Sequence, residues 1–267
     1  MKRILKFDFY KAVKSVSTWI ILLCMAVFTI ASMTITYGAK NGSELPDAVM
    51  EISEGAAAVS LEKMTVADWC MDAAGGDFLM LFVIVFAVLF TCGDYSTGFM
   101  KNIYNPIRNK WKYVLSKMIV TAVFTVLTVV LTYAIAMIYN LIIIRSAAFG
   151  NGSGLLWFTL YKTILLIAYG CVGVMVSFIL RKTTAALIVC MGYSFMFANL
   201  IYTGVNQLAR GAGAAAFDIR KYTLVGNILL MGPNMQGGQK PVIWIVCFAA
   251  AVVSFLVSTM LFSKRDI

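Results

Sequence analysis

Long apolar runs alternate with short polar stretches along this chain. The runs occupy residues 18–37, 78–92, 113–144, 155–180, 185–202 and 242–262. A helix needs about 20 apolar residues to cross hydrocarbon. Most of the runs reach that length or approach it, and residues 78–92 are on the short side. The run at 113–144 exceeds the requirement, so its helix must tilt or project. The pattern predicts an all-α polytopic membrane protein, one transmembrane domain over 1–267 with six transmembrane helices.

The polar stretches have distinct characters. Residues 1–16 interleave Lys2, Arg3, Lys6, Lys11 and Lys14 with Ile4, Leu5, Phe7, Phe9, Tyr10 and Val13. That pattern reads as an amphipathic helix in the interface, lysines toward lipid headgroups. The alternative is a charged flank that only orients the first span. A cleaved signal peptide has a shorter apolar core than 18–37. Residues 38–77 are acidic, with Val49, Ile52, Ala56 and Val59 at helical spacing, and predict one or two helices on the outer surface. Residues 145–154 read as a hairpin loop and 181–184 as a tight basic turn. Residues 203–240 contain a ten-residue apolar core, 222–231, too short to cross, and read as an outer or re-entrant element.

Residues 93–112 are basic, aromatic and turn-prone, between the second and third spans. Their charges would each cost kilocalories in hydrocarbon. They predict a short helix on the membrane surface, capped at its start by Asp94 or Ser96. Asn105-Pro106 stops it, because proline disfavours helix in the residue before it.

Composition agrees: 61% of residues are apolar and only 13% charged, against about a quarter charged in soluble domains. The net charge is +10, and its distribution follows topology rather than nucleic-acid binding. Fourteen of 22 basic residues fall on the side of the termini and the 93–112 stretch, and seven on the other. Eight of twelve acids lie in the first outer segment. The positive-inside rule puts both termini and residues 93–112 in the cytoplasm.

There is no histidine, which removes the commonest proton shuttle and metal ligand. The six cysteines lack CxxC spacing and read as small apolar fillers. A phosphate-cradling GxxxxGK[ST] loop is absent. No metal, cofactor or catalytic constellation is expected. Lys162 stands alone within a span, about 10 Å from its helix start. It is a candidate cavity-lining residue for an anionic substrate group, or it snorkels to the outer interface. Gly170, Gly173 and Ser177, and Gly192 with Ser194, mark helix faces that permit close packing. Trp19, Trp111, Trp157 and Trp244 read as interface anchors.

Residues Asp94-Tyr95-Ser96-Thr97-Gly98-Phe99-Met100-Lys101-Asn102, then Pro106-Ile107-Arg108 and Lys110-Trp111, carry a resemblance. With the basic amphipathic N-terminus and six spans, the chain resembles the bacterial ABC-2-type permeases, the membrane subunits of ATP-driven exporters. Phe99 stands where that family often has threonine. The resemblance covers the whole chain in architecture and about twenty residues as a motif. It implies a coupling helix in which Asp94, Tyr95, Ser96, Thr97, Gly98, Lys101 and Asn102 meet a separate ABC ATPase. It also implies an elbow-like N-terminal helix and outer gate helices between spans five and six. Two permease chains and two ATPases would form the unit, in a bacterial plasma membrane. ATP would be bound by the partner. Permeases this short resemble exporters of amphipathic peptides, of the bacteriocin-immunity or phenol-soluble-modulin kind. The competing classes are a membrane immunity protein that sequesters a toxin and an intramembrane enzyme.

Overall fold

The computed structural model describes residues 2–40, 65–75, 78–96, 110–144, 149–194, 198–211, 218–231 and 240–264. The described residues are almost wholly helical, with no strand among them. The helices are α1 (Lys2–Lys14), α2 (Val16–Lys40), α3 (Val66–Gly75), α4 (Phe78–Ser96) and α5 (Lys110–Tyr139), then α6 (Gly152–Leu180), α7 (Thr183–Gly192), α8 (Ala198–Gly211), α9 (Leu224–Leu230) and α10 (Lys240–Lys264). Helix α5 runs on into a π turn at Asn140–Ile144, and a 3-10 turn at Ile219–Tyr222 precedes α9.

Five of these are long and apolar enough to cross a membrane: Val16–Gly38, Phe78–Tyr95, Lys110–Ile144, Gly152–Leu180 and Pro241–Phe262. The region expected to form one span over 185–202 is described as two helices, with residues 195–197 outside the described residues. Helix α7 stops at Gly192 and α8 begins at Ala198. Ser194 lies in the π turn between them, and its hydroxyl donates to the Cys190 carbonyl at 2.8 Å. Ser194 also exchanges a hydrogen bond with the Tyr169 hydroxyl on α6, which ties the end of α7 to the bundle.

Helix α6 is the centre of the fold, with α4, α5, α7 and α10 packed around it. Small residues allow the approach. A Cβ on Gly170 would lie 2.8 Å from Thr121 Cγ2 and 3.3 Å from Val83 Cγ1. One on Gly173 would lie 3.3 Å from the Ala87 Cβ and would also strike Ile84. The sequence-level expectation of a packing face at Gly170 and Gly173 is therefore met by α4 and α5. Thr121, Thr125, Thr128 and Thr132 are buried along α5, and each hydroxyl donates to a carbonyl one turn back. Polar side chains are thus tolerated in an apolar core because their hydrogen bonds are made within the helix.

The two ends of the bundle differ. At one end lie α1, the last turn of α4, the first turns of α5 and the C-terminus of α6. At the other, α3 and α9 lie against α6. There, Thr65 and Asp68 form a reciprocal cap on α3: the carboxylate accepts from the Thr65 N–H at 3.0 Å and hydroxyl at 2.7 Å. Trp69 and Cys70 of α3 are buried, so this part of the outer segment is docked rather than solvated. Asn151 caps α6, accepting from the Gly154 N–H at 3.1 Å, where a hairpin loop was expected to extend to 154. The helical spacing expected of Val49, Ile52, Ala56 and Val59 lies outside the described residues.

The short apolar core at 222–231 becomes α9, seven residues packed against α6 and α10. It is joined to α8 through the 3-10 turn. Asn206 donates to the Asp218 carboxylate and accepts from the Ile219 N–H, both at 3.0 Å. Slight burial pushes the Asp218 carboxyl upward. The Asn206 hydrogen bond, the Arg220 N–H and the charges of Arg220 and Lys221 outweigh that and hold it below its ordinary value. Gly226 is required where α9 meets this turn. A Cβ there would lie 2.5 Å from Thr223 Oγ1 and 2.7 Å from the backbone Cα of Arg220. Gly226→Ala is expected to destabilise the region by about 1–3 kcal/mol, despite alanine's better helix propensity. Faster tryptic cleavage after Arg220 and Lys221 in detergent, against the parent chain, is the readout.

Candidate functional site

Helix α4 does not end where its apolar run ends. It continues through Ser96, one turn into the stretch expected to lie on the membrane surface. Asp94 is therefore within the last turn of α4 and does not cap a new helix. The reason is that its carboxylate is held by other partners. It accepts from Lys117 at 2.6 Å, and from Lys11 and the Tyr113 hydroxyl.

Lys117 sits in the second turn of α5 with its side chain wholly buried. Its ammonium also donates to Asp8 of α1 at 2.8 Å. The same Asp8 accepts from Ser116 at 2.6 Å. Two carboxylates and two ammonium groups thus meet where α1, α4 and α5 converge. Their charges sum to zero, which is the condition for burying them, since an unmatched buried charge is severely penalised. The Phe90 ring lies 4.1 Å from the Lys117 ammonium and the Tyr113 ring 5.2 Å from it, adding cation–π attraction in a dry site.

Tyr95, the next residue, is gripped from another helix. Its ring packs edge-on against Phe178 near the end of α6, with centroids 6.2 Å apart. The Arg181 guanidinium lies 5.6 Å from the Tyr95 ring centroid. Arg181 closes α6 in the left-handed region, at φ 56°, its N–H bonded to the Ser177 carbonyl at 2.9 Å. That conformation costs a non-glycine residue roughly 1–2 kcal/mol. The arginine side chain at that cap is what meets Tyr95. Tyr113 stacks on Phe262 and Phe178 meets both edge-on, with centroids 5.3–6.3 Å apart.

The base of the 93–112 stretch is therefore fastened to α1, α5 and α6. Of the residues expected to form a coupling element, Asp94 and Tyr95 occupy this joint and Ser96 is in the same turn. Thr97, Gly98, Lys101 and Asn102 lie outside the described residues. Lys162 is not part of this site. It is at the opposite end, 1% exposed, with its ammonium donating to the carbonyls of Gly75 at 3.0 Å and Ile228 at 3.5 Å.

Asp8, Lys11, Tyr113, Ser116 and Lys117 were not singled out by sequence reasoning as site residues. A signal was available for two of them. Asp8 is the one acid among five bases in residues 1–16, and Lys117 is a lone cation inside an apolar run. Nothing in the described residues groups three or more potential metal ligands. The six cysteines are free thiols, five of them buried.

No curated protein matches the chain. A family model described as ABC-2 family transporter protein matches residues 3–267. A multi-pass helical bundle matched over nearly its whole length in this way belongs to the ABC-2 transporter family, as a membrane component of a transporter.

Proposed function

We propose that the chain is the permease subunit of an ATP-driven exporter, moving an amphipathic peptide or hydrophobic compound outward, with residues 93–112 as the element that receives force. Permeases of this family work with an ABC ATPase partner, generally as dimers, and do no catalysis themselves. In this reading two copies of the chain join two ATPases, and ATP stays on the partner. Both termini and residues 93–112 face the cytoplasm of a bacterial cell, following the charge asymmetry. Helices α7 and α8 together supply a sixth, bent crossing.

The observation that carries this reading is the buried ion cluster. A segment that only linked two spans would need no such fastening. Here its first residues are tied to three helices through Asp94 and Tyr95. A push delivered to 97–109 by a partner would pass through Asp94 and Tyr95 to those helices. The acidic outer segment suits a cationic amphipathic cargo leaving the cell.

Copurification tests it. The chain, expressed with a candidate ABC ATPase, should hold it through purification. A peptide cargo should then stimulate ATP hydrolysis. In Tyr95→Ala combined with Arg181→Ala, the complex is expected to assemble while stimulation by cargo falls at least tenfold. No associated ATPase would reject the assignment and favour sequestration, and undiminished stimulation in the double variant would reject residues 93–112 as the element that receives force.

A further inference from the structure

Helix α1 has two faces with different work. Its inner face holds Asp8 and Ala12, buried, with Ile4 and Leu5 packed on the core. That face carries the only acid of the helix, and Lys117 neutralises it. The outer face is exposed and mixes Arg3, Lys6 and Lys14 with Phe7, Tyr10 and Val13. At 100° per residue these six span one third of the helix surface, centred on Tyr10. Lys14 lies along the Tyr10 side chain, donating to its hydroxyl at 3.2 Å, with the ammonium 5.5 Å from the ring centroid.

Two features name the occupant of this face. The first is charge: three cations and no acid, so the partner is anionic. The second is continuity. The exposed apolar residues run on from Val13 into Val16, Trp19, Ile20 and Leu23 of α2, the lipid-facing side of a span. The Trp19 indole donates to the Val13 carbonyl at 2.8 Å across the junction, so the two surfaces are held together. Aromatic rings among cations, at the end of a span, match the headgroup layer of a bilayer.

We infer that the outer face of α1 is a binding site for anionic phospholipid headgroups, and that their binding braces the ion cluster on the helix's other face. Arg3, Lys6 and Lys14 take the phosphates while Phe7, Tyr10 and Val13 enter the acyl boundary. With α1 held to the leaflet, Asp8 and Lys11 keep Lys117 and Asp94 in register. Lipid charge thereby sets how firmly the force-receiving segment is fastened. The regulatory half of this inference rests on the function proposed above. The lipid site does not.

The test uses the full chain alone, reconstituted in phosphatidylcholine bilayers with trace spin-labelled phosphatidylglycerol or phosphatidylcholine. The fraction of immobilised label gives the relative association of the two lipids. The parent chain is expected to prefer phosphatidylglycerol by about fivefold or more, the effect of one or more surface cations near an anionic leaflet. Arg3→Gln, Lys6→Gln and Lys14→Gln together should bring the ratio close to one. Lys110→Gln with Lys112→Gln, at the start of α5, should leave it high. Equal association in the parent, or a preference that survives the triple change, overturns the site. In the complex with its ATPase, cargo-stimulated hydrolysis should rise with the phosphatidylglycerol fraction for the parent and stay flat for the triple variant. A flat response in the parent overturns the bracing and leaves the site standing. Failure to find any ATPase overturns the proposed function without touching the lipid measurement.

Discussion

Lys117→Met will lose most of its folded yield, with thermal stability in detergent falling by about 3–5 kcal/mol, the usual cost of removing one partner from a buried ion pair. The size follows from what is left behind. Lys117 is bonded to Asp8 and Asp94 together, so one substitution strands two buried carboxylates. Lys11, partly exposed, remains for Asp94 alone. Adding Asp8→Asn and Asp94→Asn to Lys117→Met removes the stranded carboxylates and leaves Lys11, whose side chain is 30% exposed, to be solvated. That triple variant is expected to regain most of the lost stability, because apolar or neutral replacements of whole buried ion clusters are often near neutral. The contrast separates two roles. If the cluster matters only for folding, the triple variant will respond to cargo as the parent does. As a fastening of the coupling segment, it will fold and yet respond weakly. Fluorescence-detected size exclusion after heating gives the first quantity, and ATP hydrolysis by the complex gives the second.

Lys162→Met is the second substitution with a large expected effect. Its ammonium donates to the Gly75 carbonyl, the last residue of α3, and to the Ile228 carbonyl in α9. Both carbonyls stand at or near the C-terminal ends of short helices, where partial negative charge favours a cation. Charge-assisted hydrogen bonds contribute about 1.5–3 kcal/mol each. Methionine fills similar volume and donates nothing, so α3 and α9 should both loosen. We expect a lower unfolding temperature and faster tryptic cleavage after Arg220 and Lys221. A residue serving mainly to meet an anionic cargo would behave otherwise: unchanged stability with altered transport. The measured stability decides between this clamping role and the cavity-lining role, while the burial of Lys162 already argues against the snorkelling alternative.

The spans were legible because hydrocarbon thickness imposes length and apolarity on them. Each of the five long helices begins or ends within four residues of its apolar run. The region 183–211 was not read in the same detail, because the π turn at 193–194 and the Ser194 hydrogen bonds to Cys190 and Tyr169 involve a tertiary contact invisible in hydropathy. The same holds for the site. The polar character of 93–112 located the region. The partners of Asp94 could not be read, because Lys11 and Lys117 are 83 and 23 residues away in sequence and only folding brings them together. Tyr113 looked like the first residue of a span, and nothing in the pattern set Ser116 apart. The end of α4 was placed too early, since Asp94 reads as a helix cap until its buried cations are seen.

The close approach at Gly170 and Gly173 has a mechanical corollary. With only hydrogens at these two positions, α6 seats directly against Val83 and Ala87 of α4 and Thr121 of α5, and such close packing resists sliding and transmits strain. Helix α6 alone is about 43 Å long at 1.5 Å per residue, from 29 residues. Tyr95 bears on one tip of it through Phe178 and Arg181, while Lys162 grips the outer helices near the other. Over that length, a tilt of a few degrees at the first tip would become a sideways swing of ångströms at the second.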